Sequence, residues 1–163
     1  MGVATEAASA DVVQLGEREL VITRVFDAPR ALVFRAWTER ERLVRWSAPH
    51  GFTITHAEAA LQPGGAWRSC MRSPDGEEHW LGGVYREIVV PERLVFTHAW
   101  EQSWDDPSRP SPETLLSVTL TVQGAGTRLT LRQSGFGSDT SRDGHVQGWT
   151  ACLDLLERHL NED

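Results

Sequence analysis

Through "ERELVITRVFDA", residues 17 to 28, Leu20, Ile22 and further apolar residues alternate with polar ones, the period-two pattern of a half-buried strand. The period changes in "DAPRALVFRAWT". There Leu32, Val33, Ala36 and Trp37 share one helical face, Pro29 suits the first helical position, and Asp27 stands upstream as a cap. Thr38 and Glu41 have capping-box spacing, which predicts a second short helix that buries Leu43, Val44 and Trp46 and ends at "SAPHG". From residue 52 the pattern is that of strands again, separated by "QPGG", "PDG", "PER" and "GAG" turns and by a looser loop, "SWDDPSRPSP". The closing stretch, "GHVQGWTACLDLLERHL", is an amphipathic helix starting near Thr140. Trp149, Cys152, Leu153, Leu156 and Leu160 fall within roughly 100° of its wheel, with His145 and Val146 at the borders.

This order predicts an α+β domain. A strand, two short helices and about six more antiparallel strands precede one long helix, whose broad apolar stripe must lie against the sheet. Residues 1–14 read as a disordered tail and residues 15–163 as a single domain, with no internal repeat. Gly144 and Gly148 are out of place in the last helix, where each costs about 1 kcal/mol relative to alanine. On the wheel they fall on the flank and back, away from any pocket. They are expected either to allow close packing against a neighbour or to keep that end loose.

Composition narrows the chemistry. The chain is 40% hydrophobic and 24% charged, with a net charge of −7 and no basic stripe, which argues against a nucleic-acid partner. No apolar run approaches the ~20 residues that span a bilayer, so membrane insertion is not expected. The first fourteen residues lack the basic start and apolar centre of a signal peptide, which makes the cytoplasm the expected location. Cys70 and Cys152 show no metal or redox spacing and read as buried thiols. All sixteen basic residues are arginine, so the described sequence has no lysine for a Schiff base or a phosphate loop. No HExxH motif or His/Cys/Asp cluster suggests a metal site, and Ser134 in "QSGFG" lacks the nucleophile-elbow pattern. No cofactor is expected.

The blocks "VFDAPRALVFRAWTERERLVRW", "LQPGGAWRSCMRSPDG", "GGVYREIVVPERLVFT", "GTRLTLRQSGF" and "GWTACLDLLERHL" resemble, in order, those of the activator-of-heat-shock-protein-90-ATPase-homologue-like family. That family belongs to the SRPBCC superfamily, with START lipid carriers and birch-pollen-allergen-like proteins. The resemblance implies a helix-grip fold: a curved antiparallel sheet of about six to seven strands wrapped around the C-terminal helix, with a cavity between them for an apolar or amphipathic molecule. The family's co-chaperone carries an additional chaperone-binding domain for which this chain has no room, so a chaperone partner is the less favoured reading.

Strand alternation nominates the residues that face such a cavity. These are Trp67, Ser69 and Met71; His79, Leu81, Gly83, Tyr85 and Glu87; Leu94, Phe96, His98 and Trp100; and Leu129, Leu131 and Gln133. From the helix come Trp149, expected to plug the cavity, with Cys152, Leu153 and Leu156. Trp67, Tyr85, Phe96, Trp100 and Trp149 would form aromatic walls, with His79, His98 and Gln133 as orienting polar groups. The same aromatics could instead simply fill the space between sheet and helix. For an enzyme of the cyclase or hydrolase kind, His98 or His79 with Tyr85 or Glu87 are the candidate acid and base. Trp104 is expected in an exposed loop or at the cavity mouth. Leu155 and Trp46 are candidates for contact with a second copy in a homodimer.

Overall fold

The computed structural model describes residues 11–162. Eight antiparallel strands form one sheet: β1 (Val12–Gly16), β2 (Glu19–Phe26), β3 (Thr53–Ala59), β4 (Ala66–Arg72), β5 (Glu78–Val89), β6 (Arg93–Trp100), β7 (Thr114–Gln123) and β8 (Gly126–Ser134). Three helices are described, α1 (Arg30–Thr38), α2 (Arg40–Trp46) and the long α3 (Asp139–Asn161). The strand order β1-β2-β8-β7-β6-β5-β4-β3 places β2 beside β8 and runs as a meander from β8 back to β3. The sheet thus grips α3 in the α+β helix-grip arrangement, with more strands than the sequence pattern suggested.

The extra strand is β1. Val12 to Gly16 pair with Thr23 to Glu19, so the ordered chain begins before residue 15, where the sequence placed the boundary. Residues 1–10 of the expected tail lie outside the described residues. The strand faces follow the alternation: β2 buries every second residue, from Leu20 to Phe26. The β7–β8 hairpin closes Gln123 onto Gly126, and the turn has Gly124 at φ +60°, a backbone region that glycine enters without steric cost.

Both short helices start differently from expectation. Pro29 is the N-cap of α1 and Asp27 makes no cap bond, because the extended backbone at Pro29 already turns the chain into the helix. Glu39, not Thr38, precedes α2, and the Thr38 hydroxyl instead donates to the Phe34 carbonyl in the last turn of α1. Trp46 is buried, and its indole N–H donates to the Ala36 carbonyl, so it is not available to a second copy. Leu155 is half-buried and packs on the core.

The main core lies between β2, β7, β8 and the C-terminal half of α3. Leu20, Ile22, Leu116, Leu129 and Leu131 meet Leu153, Leu156 and Leu160, all nearly or fully buried. Each such side chain contributes about 1.5–3 kcal/mol by leaving water. One charge breaks this apolar face. Arg24 is only 4% exposed and holds Asp154 at 2.7 Å and Glu157 at 3.6 Å, both on α3. It also donates to both carboxylate oxygens of Asp11, at 2.5 and 2.9 Å. Removing the guanidinium would leave three carboxylates facing one another. Arg24→Ala is expected to lower unfolding free energy by about 2 kcal/mol, discounted for the partly exposed partners, as read from urea denaturation.

Candidate functional site

Toward the other end of α3 the sheet and helix separate. A cavity of about 390 Å³ lies between β4–β6 and the N-terminal half of α3, closed at the sides by the α2–β3 and β6–β7 connections. Met71, Leu81, His98 and Trp100 form its sheet side. The helix contributes His145, Trp149 and Cys152, with Thr140, Ser141, Gly144 and Gly148 beside them. Ser47, Pro49 and Phe52 border it from one loop, and Ser103, Trp104, Asp105 and Ser111 from the other.

The floor is fixed by a chain of hydrogen bonds. The Trp149 indole N–H donates to Gln133 Oε1 at 2.8 Å, and Gln133 Nε2 donates to Thr114 Oγ1 at 2.9 Å. The Thr114 hydroxyl then donates to the His98 carbonyl at 2.8 Å. Gln133 is wholly buried, so an unpaired amide there would be costly; here both ends of the amide are paired. The Trp149 ring stacks on Trp37 at 5.9 Å and tilts toward His98 at 6.4 Å.

A second clasp joins helix and sheet at the cavity side. His145 Nδ1 lies 2.7 Å from the Ser141 carbonyl, and Trp100 Nε1 donates to His145 Nε2 at 3.0 Å. An indole N–H can only donate, so Nε2 is the acceptor and Nδ1 carries the proton. Burial holds His145 below its ordinary value. His98 is buried more deeply still. Desolvation, reinforced by neighbouring His145, pushes its pKa down to about 3, so it is neutral at physiological pH. Burial raises the Cys152 thiol to about 12, which makes it an inert wall group rather than a nucleophile.

Of the residues nominated from sequence, the fold brings Met71, Leu81, His98, Trp100, Trp149 and Cys152 to the cavity. Tyr85, Phe96, Leu153 and Leu156 instead pack within the core, and Gln133 supports the floor from beneath. Trp67 is edge-on to Phe96 and donates its N–H to the Thr97 carbonyl, beside Gly83 and Val84, where the β5–β6 pairing lapses between Gly82 and Tyr85. A side chain at Gly83 would meet the Thr97 carbonyl oxygen at 1.8 Å. His79 stacks on Trp104 at 4.0 Å, outside the cavity lining. Glu87 faces out and pairs with Arg93, because a bulge between Tyr85 and Glu87 shifts the register and reverses the alternation. The acid–base pairs drawn from His79, Tyr85 and Glu87 are therefore not assembled around His98.

Sequence reasoning missed the loop residues and misplaced the two glycines. Both Gly144 and Gly148 line the cavity, and a Cβ built on either meets nothing within 4 Å beyond its chain neighbours and the adjacent backbone of its own helix. The close-packing explanation is thereby overturned. Residues 140, 144, 148 and 152 form an i, i+4 stripe, roughly a quarter-turn round the helix from the core stripe. That spacing was the available signal.

A model of the family described as "Activator of Hsp90 ATPase homolog 1-like protein" matches residues 27–161. The chain belongs to this family. A solved protein from Chromobacterium violaceum is 25% identical, with a TM-score of 0.78 over 89% of this chain and 99% of that one. One from Nitrosomonas europaea is 26% identical, with a TM-score of 0.76 over 91% and 97%. A family protein from Silicibacter pomeroyi is 25% identical, with a TM-score of 0.76 over 88% and 97%. No curated protein is significantly similar to the chain. Among the described residues, no helix is long and apolar enough to cross a membrane, and no group of three or more His, Cys, Asp or Glu residues is placed to hold a metal ion.

Two outcomes follow from this geometry. Gly148→Ala is expected to raise unfolding free energy by about 0.5–1 kcal/mol, since helix propensity improves and nothing obstructs the methyl group. Thermal unfolding measures this directly. His98 takes up a proton near 6.5 in the unfolded chain but only near 3 when folded. Between those values the unfolded state holds more protons, so stability falls as pH falls through the window. His98→Gln should flatten that part of the stability profile in urea titrations run across the window.

Proposed function

We propose that the chain binds a small apolar or amphipathic molecule between its sheet and the N-terminal half of α3, and works as a binding protein rather than a catalyst. The observation that carries this reading is a cavity of about 390 Å³ that the nearby side chains leave unfilled, with open space above Gly144 and Gly148. Ligand sites are commonly concave, of about 300–1,000 Å³, apolar in most of their lining and fixed by a few polar groups. Phe52, Met71, Leu81, Trp100 and Trp149 supply the apolar part here. Membership of the family supports the reading at the level of the fold, since helix-grip domains commonly hold small hydrophobic ligands. Among the described residues, no carboxylate or thiolate hydrogen-bonds the His98 ring to complete an acid–base pair.

The test uses N-phenyl-1-naphthylamine, an uncharged probe whose emission rises in apolar surroundings. The probe is expected to bind with saturation and to quench tryptophan emission, because Trp100 and Trp149 border the cavity. Gly148→Leu should fill the open space, abolish that signal and leave the protein folded by circular dichroism. Saturable binding that survives Gly148→Leu unchanged would place the probe elsewhere and refute the reading.

A further inference from the structure

We infer that the cavity selects uncharged molecules carrying one hydrogen-bond donor (a hydroxyl or an amide N–H) that docks on the ring of His98. This rests on the small-molecule reading above and adds to it the charge and polar group of the ligand.

The first argument is the charge of the wall. All sixteen cationic side chains are arginines, every one among the described residues, and none lines the cavity. The one acidic side chain in the lining, Asp105, is exposed on the β6–β7 connection at the rim. The N-terminus of α3 comes closest to a positive end. It is already answered: the Ser138 hydroxyl accepts the Ser141 N–H, and Asp139 puts a carboxyl group in the first turn. A carboxylate or phosphate drawn inside would leave water without gaining a partner, and burying an unpaired ion is strongly unfavourable. An ammonium group would face the same loss anywhere deeper than the rim.

The second argument is the supply of hydrogen bonds. The indole N–H groups of Trp149, Trp100 and Trp67 are already committed within the protein. Trp149 donates to Gln133, Trp100 to His145, and Trp67 to the Thr97 carbonyl. Both nitrogens of His145 are engaged. The Ser47 hydroxyl donates to the Leu43 carbonyl, and the Ser111 hydroxyl accepts the Trp100 backbone N–H. His98 differs. It is 5% exposed and lines the cavity; its own backbone takes one hydrogen bond from the ring, and among the described residues the ring makes none to another residue. Three rings flank it, with Trp67 and Trp100 at 5.8 Å and His145 at 6.0 Å, and none supplies one. Held neutral by burial and with its N–H given to its own backbone, the imidazole keeps one acceptor nitrogen, which can answer a hydroxyl or an amide N–H. An acceptor nitrogen that no neighbouring residue answers is most economically explained by a donor that arrives with the ligand.

Displacement of bound N-phenyl-1-naphthylamine by three matched compounds tests this: 2-methylnaphthalene, 2-naphthol and 2-naphthoate. On the wild-type protein 2-naphthol should bind about fivefold more tightly than 2-methylnaphthalene, the value of one net hydrogen bond. It should exceed 2-naphthoate by at least about tenfold, for the unpaired charge. His98→Phe should remove the preference for the naphthol while keeping affinity for methylnaphthalene, and His98→Gln should retain the preference. Equal or tighter binding of naphthoate by the wild-type protein overturns the inference without needing any variant, and so does a naphthol preference that persists in folded His98→Phe. In both cases the cavity reading stands. If the probe itself fails to bind, the cavity reading falls and this inference falls with it.

Discussion

The buried amide of Gln133 sets the relation between the sheet and the N-terminal half of the helix. Its oxygen takes the Trp149 N–H and its nitrogen gives to Thr114, which gives to the backbone of His98. One hydrogen-bonded line therefore runs from α3 through β8 and β7 to β6. In a low-dielectric interior each bond in such a line is strengthened by the next, and losing any member strands another buried polar group. The position of Trp149 follows from this line, and with it the stack on Trp37 and the tilt toward His98. The floor of the cavity is thus fixed by polar geometry as well as by the apolar contact of Trp149.

The two halves of α3 divide the work. Its C-terminal half is pinned by Leu153, Leu156 and Leu160 against β2, β7 and β8, and by Arg24 gripping Asp154 and Glu157. Firm anchoring there lets the N-terminal half stand away from β4–β6 without freeing the helix. The Trp100–His145 bond limits how far it stands away, since it spans from sheet to helix beside the opening. Fold stability and cavity volume are in this way drawn from different turns of one element.

The fold was legible in the sequence because alternation, hairpin turns and an amphipathic closing helix all pointed to the same architecture. The hairpin residues placed β7 against β8, and the helical stripe from Cys152 to Leu160 marked the buried face. The site was less legible. Alternation identified Met71, Leu81, His98 and Trp100, but it could not reveal the bulge that turns Glu87 outward. It also could not separate a cavity wall from a packed core, so Tyr85, Phe96 and Leu153 were indistinguishable from true lining residues. Phe52, Ser103 and Ser111 border the cavity through the paths of connections that have no period to read. The wheel was centred on the core stripe, so the glycine stripe a quarter-turn away looked like the back of the helix.

That stripe bears on why the cavity exists. A glycine inside a helix normally earns its place through a close approach, where a methyl group would collide with a neighbour. Gly83 in β5 is such a case, since a side chain there would strike the Thr97 carbonyl. Gly144 and Gly148 are not, because space is open above both. Each gives up about 1 kcal/mol of helix stability with no packing gain in return. Sequences depart from local preference in this uncompensated way chiefly where function asks for it. The volume left free lies against a neutral His98 that keeps one unanswered ring nitrogen and beside a wall that carries no cation. Open space, an unspent hydrogen-bonding group and the absence of countercharge are separate observations, and an uncharged ligand with one polar group satisfies all three.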